Sequence, residues 1–166
     1  GIALEVKLRV PTNARSVRFD FDFYASDFPT YLCDPFNDFF VATLSPKPAG
    51  LPDGSIAFDP IGTPIGVNIE PDMLQVCASQ LANSTVYPCS LGTTPLMGTG
   101  FDIQATGAAT GWLRSMAPVE PGTDITLSFA IWDSGDALLD STVLLDNVVF
   151  DAETADVSTT IVVSPL

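Results

Sequence analysis

Histidine is absent from the 166 residues, and only six lysines and arginines stand against twenty aspartates and glutamates. Without histidine, Ser-His-Asp and Cys-His nucleophilic arrangements are excluded. A zinc site is disfavoured as well, since there is neither Cys/His spacing nor a CxxC pair. The chain also lacks a G-x-S-x-G elbow, a phosphate-cradling glycine loop and a dinucleotide fingerprint. A net charge of −14 repels phosphates, which argues against nucleic acid or an anionic membrane as partner. No apolar run approaches the ~20 residues needed to cross a bilayer, so membrane insertion is not expected. Carboxylate pairs can hydrolyse glycosidic bonds, but among twenty acids some pair is inevitable and carries no information. The expectation is a protein that is not an enzyme.

What is present points to a folded β-domain. Hydrophobic residues make up 46% of the chain and mean hydropathy is +0.33, enough apolar content to oppose disorder despite the charge. The length suits one domain spanning 1–166 with a real core. Fourteen prolines and twelve glycines divide it into short apolar stretches, as in all-β architectures. Of the twenty acids, sixteen are Asp and four are Glu. Asp is short and turn-compatible, so the bias places the charge in loops and suits oxygen-ligated cations; an acidic, solvated surface accounts for it equally well.

The clearest periodicity is two. In "LEVKLRV", Leu4, Val6, Leu8 and Val10 alternate with Glu5, Lys7 and Arg9. In "VRFDFDFYA", Val17, Phe19, Phe21 and Phe23 alternate with Arg18, Asp20, Asp22 and Tyr24. Each reads as a half-buried strand, with Asp20 and Asp22 on the wet face near Lys7 and Arg9. Further strands are expected near 37–45, 55–58, 65–70, 111–119, 124–132, 142–150 and 158–163. Long loops fill 71–109, with at most one helical turn. About nine short strands joined by irregular loops predict an antiparallel β-sandwich, jelly-roll-like.

Three cysteines allow three single-bridge pairings. The polar stretch between Cys77 and Cys89, "ASQLANSTVYP", reads as a surface loop and favours that pair, with Cys33 left free.

The stretch "WDSGDALLDSTVLLDN" concentrates the candidates for chemistry. Asp133, Asp136 and Asp140 fall within eight residues around Gly135 and repel one another unless neutralised. Calcium, with six to eight oxygen ligands, is the natural neutraliser outside the cell, although the spacing is not that of an EF-hand. A second group, Asp27, Asp34, Asn37 and Asp38, lies in an aromatic loop; both groups follow strong strands, so a sandwich brings them to one end. Asp27, Asn37, Asp38, Asp133, Asp136 and Asp140 are therefore the expected calcium ligands. The alternative is ordinary solvated turn acids. Asp146 and Asn147 interrupt an apolar strand, and their alternation points one of the two inward. Tyr24, Tyr31 and Trp132 are the candidate ligand-binding rings, since exposed rings stack on sugars. The competing reading for Phe28, Tyr31 and Phe36 is a lid over the core.

The segments "FDFYASDFPTYLCDPFNDFF", "GTPIGVNI" and "GWLRSMAPVEPGTDITLSFAIWDSGDALLDSTVLLDN" resemble, in order, the choice-of-anchor L domain, a bacterial extracellular module frequent in myxobacteria. The resemblance implies a secreted or surface-displayed β-sandwich in an oxidising compartment, where the Cys77–Cys89 bridge would form. It implies no particular biochemical activity. Gly1 reads as a trimmed start and the chain reaches "VVSPL" without a sorting signal, as expected if a longer protein was cut here or the anchor lies elsewhere. The combined expectation is a calcium-stabilised extracellular module that recognises a glycan or cell-surface polymer. The alternative is a structural or protein–protein adhesion domain that contacts another surface protein.

Overall fold

The computed structural model describes residues 1–102, 106–134 and 138–163. Within them the chain forms β1 (Ile2–Arg9), β2 (Ser16–Ala25), β3 (Phe39–Ser45), β4 (Val76–Cys77), β5 (Leu81–Ala82), β6 (Thr85–Val86), β7 (Ala108–Ala109), β8 (Leu113–Pro118), β9 (Asp124–Trp132), β10 (Ser141–Asp151) and β11 (Ser158–Ile161). One antiparallel sheet has the order β1-β9-β3. In the larger sheet β2 is central: β10 pairs along one side, and β8 followed by β7 along the other, with β11 beyond β8 and β4 beyond β7. β5 and β6 form a separate hairpin. The fold is all-β, as the alternation predicts.

The two sheets face each other through the rings that the period of two places inward. Phe19 of β2 meets Phe129 of β9 edge-to-face at 4.9 Å, and Phe21 lies 4.9 Å from Phe40 of β3. Val17, Phe23, Leu113, Leu44, Ile125 and Leu127 complete this interior, all buried. Burying each large side chain contributes roughly 1.5–3 kcal/mol, so this layer is the main source of stability.

Several expectations need correction. The strands expected near 55–58 and 65–70 reduce to isolated bridges, such as Phe40 with Ile65 and Thr43 with Ser55: Gly54 and Pro60 bound the first stretch closely, and Pro64, Gly66 and Pro71 bound and interrupt the second. Among its described residues, the 71–109 region holds short strands and two 3-10 turns, at Pro71–Met73 and Thr94–Leu96. It also covers the outer side of β2: Val76, Leu96 and Ala109 bury Tyr24, whose ring lies 5.6 Å from Phe101. Tyr24 is thus not on a wet face. Asp20 and Asp22 are buried too, and they lie in a different sheet from Lys7 and Arg9. Arg114 of β8 neutralises Asp20 through two bonds of 2.6 and 2.8 Å. The alternation at Asp146 and Asn147 fails because β10 bulges there, leaving both exposed; Asn147 adopts φ 54° and donates to Asp20 at 2.8 Å. Leu4, expected inside, is 54% exposed.

The Cys77–Cys89 disulfide is present, with Cα atoms 5.6 Å apart, and Cys33 is a free, exposed thiol. Closing that loop stabilises the fold by roughly 3 kcal/mol through the restricted unfolded chain.

Candidate functional site

At the end of β9 the apolar alternation stops and the acids begin. Two loops meet there, one from β2 to β3 and one from β9 to β10. Backbone bonds join them: Asn37 N–H donates to the Ser134 carbonyl at 3.3 Å, and Ser26 N–H to the Asp140 carbonyl at 3.1 Å. The first loop is turned tightly, with Tyr31 N–H donating to the Asp27 carbonyl at 2.9 Å. Their junction leaves a cleft of about 290 Å³ lined by Asp38, Ile131, Trp132, Asp133, Leu139 and Asp140. The cleft brings Asp38 of the first acidic segment beside Asp133 and Asp140 of the second, while Asp27, Asp34 and Asn37 do not line it.

The carboxylates differ in depth. Asp27 and Asp38 are buried, and each has an interacting neighbour, as buried charge requires. Asp133 is half-buried, while Asp34 and Asp140 are exposed. Asn37 is only 5% exposed, and its side-chain oxygen accepts no hydrogen bond from the described residues. Gly66 explains how Asn37 fits: a Cβ there would lie 2.7 Å from the Asp38 carbonyl and 3.3 Å from Asn37 Oδ1, so no larger residue packs without displacing the loop. Among the described residues, no three carboxylate or thiol side chains form a ready metal cage. Asp136 lies outside the described residues.

Rings flank the acids. Trp132 is 38% exposed and rests 5.7 Å from Phe39. Tyr31 and Phe36 form an exposed edge-to-face pair at 6.4 Å. Phe28 is the buried lid that its aromatic loop suggests, packed on Tyr87.

Two polar centres escaped the sequence reading. Asp59 is buried and accepts N–H bonds from Ile61 (3.0 Å), Thr63 (2.7 Å) and Glu70 (3.1 Å), tying down the loop beneath Gly66. The turn signal in "DPIGT" could have revealed part of it. Asp22 is the other. Burial pushes its carboxyl up to about 6, partly offset by hydrogen bonds from Tyr24, Thr110 and the Gly111 backbone. The same burial, with the neighbouring Asp22 charge, pushes the Tyr24 hydroxyl up to about 12. The signal for Asp22 was ambiguous, since an Asp on a strand's polar face is normally wet.

Fold and site together define a β-sandwich module with two acidic loops gathered at one end. The chain belongs to the choice-of-anchor L domain family, whose profile matches residues 5–151. Membership makes it a bacterial surface or extracellular module. No helix among the described residues is long and apolar enough to cross a membrane. No curated protein and no solved structure matches the chain.

Proposed function

We propose that this domain is a calcium-stabilised extracellular binding module that recognises a glycan or cell-surface polymer at the cleft between the β2–β3 and β9–β10 loops. The observation that carries the reading is that Asp38, Asp133 and Asp140 share one cleft with Trp132. Three acids beside one ring suit a sugar: hydroxyls bond to carboxylates or to a cation they hold, and the apolar sugar face stacks on the indole. Asp38, Asp133 and Asp140 do not stand as a ready cage, so calcium would have to draw them together on binding, with the unpartnered oxygen of Asn37 and loop carbonyls as further donors, because it accepts irregular shells of oxygen at about 2.3–2.6 Å. Asp27 and Asp136 remain candidate ligands on the sequence argument.

The test is a glycan array probed with and without chelator, alongside Trp132→Ala and Asp133→Asn. Calcium-dependent binding lost in both variants is the expected result. Binding to no glycan in either condition would overturn the polymer reading and leave a protein–protein adhesion domain. The exposed Tyr31–Phe36 pair favours that second reading, since paired rings on a loop also suit a protein surface.

A further inference from the structure

The edges of the two sheets are not treated alike. In the smaller sheet, the outer side of β3 is covered by segment 54–65: Phe40 N–H donates to Ile65 O at 2.9 Å, Leu44 N–H to Gly54 O at 2.9 Å, and Ile56 N–H to Ala42 O at 2.8 Å. β10, an outer strand of the larger sheet, is interrupted by the bulge between Asp146 and Val149, a common device against edge pairing. β1 has neither protection. It pairs with β9 in unbroken register from Ile2 to Arg9, has no proline or bulge, and among the described residues no strand pairs with its outer side. Between β1 and β10 lies an apolar groove of about 440 Å³, lined by Ile2, Leu4, Phe129, Ile131, Val143 and Leu145. Ile2 is 75% exposed although it alternates in phase with Val6 and Leu8, which pack against the core.

The other face of β1 carries Glu5, Lys7 and Arg9. Arg9 pairs with Asp124 across the sheet. Glu5 and Lys7 face Ser128 and Thr126 instead, and neither forms an ion pair among the described residues. In a chain with so few cations, an uncommitted lysine two residues from an uncommitted glutamate on a bare edge is a self-complementary pattern.

We propose that β1 pairs antiparallel with β1 of a second copy of this chain, about a two-fold axis at Val6. That register sets Glu5 of each copy opposite Lys7 of the other, giving two cross-strand ion pairs, and places Leu4 opposite Leu8. The three-stranded sheets join into one continuous sheet, and the exposed Ile2 and Leu4 of each copy gain apolar neighbours. Such an interface is isologous and closes at two copies. The bulk charge of −14 per copy opposes it, so association strengthens as salt screens the long-range repulsion.

Sedimentation at about 0.15 M salt and protein up to about 100 μM should give a species of twice the 17.5 kDa chain mass. Glu5→Lys alone and Lys7→Glu alone each set like charges opposite one another and should weaken the dimer by about tenfold. The double variant E5K/K7E restores the pairing, as does an equimolar mixture of the two single variants, which should form heterodimers. Both positions are exposed, so melting temperatures close to wild type at protein concentrations low enough to leave every form monomeric will confirm folding. A wild type that stays monomeric overturns the proposal and leaves the edge to a strand of another protein. A dimer indifferent to both single changes, or not rescued by the double one, overturns it too.

Discussion

Asp20 and Asp22 are two residues apart on one strand and are held in opposite ways. Hydrogen bonding to Arg114 draws the Asp20 carboxyl below its ordinary range against the cost of burial, with Asn147 assisting. Its contribution to stability is present above the unfolded value near 4 and is lost as pH falls through the lower folded value. Asp22 is raised to about 6 because burial disfavours its charge. The folded state therefore binds its proton more tightly than the unfolded chain. Its contribution is full below about pH 4 and is lost as pH rises through 6. Asp22→Asn removes the buried charge while keeping an acceptor for Tyr24. It should stabilise the protein at pH 7.5, on the order of 2 kcal/mol, and have little effect at pH 4. Urea denaturation at the two pH values measures both arms, and equal effects at both would show that Asp22 is not a charged buried group at neutral pH.

At the scale of elements, irregular segments do much of the positioning. The loop 59–70 contains no strand, yet it backs the cleft by placing Gly66 against Asn37 and Asp38. Asp59 holds that loop with three accepted N–H bonds. Asp59→Ala leaves those donors without their acceptor and should cost on the order of 3 kcal/mol, whereas Asp59→Asn, which keeps one oxygen, should cost less. Chemical denaturation of the two variants checks the order. Gly66→Ala probes the same contact from the other side: loss of ligand binding with a modest change in stability is the expected outcome, because the added methyl must displace the Asp38 carbonyl.

For the whole molecule, the dominant fact is uncompensated negative charge, which destabilises the compact state through self-repulsion. Added sodium chloride should raise the melting temperature by screening alone. Calcium at millimolar concentration should raise it further than magnesium at matched ionic strength, because only calcium tolerates an irregular shell of loop oxygens. A calcium response no larger than that of magnesium, and unaltered by Asp133→Asn, would mean that the aspartates are screened as a cloud and not bound as a site.

The sequence by itself determined which stretches would become the long strands. A period of two with branched and aromatic residues buries one face only as a strand, and β1, β2 and β9 all carry it. It also determined the class of surface, since charge and missing chemistry follow from composition alone. It could not tell which polar faces would stay wet. Asp20, Asp22 and Tyr24 have the spacing of solvent-facing residues, but a long loop and the neighbouring strand β8 return to cover them from far along the chain. Equally, Ile2 and Leu4 have the spacing of core residues and stand open because, among the described residues, no strand pairs with the outer side of β1. Alternation fixes only which side of a strand a residue takes. What lies against that side is set by contacts a hundred residues away, and only the tertiary structure supplies those.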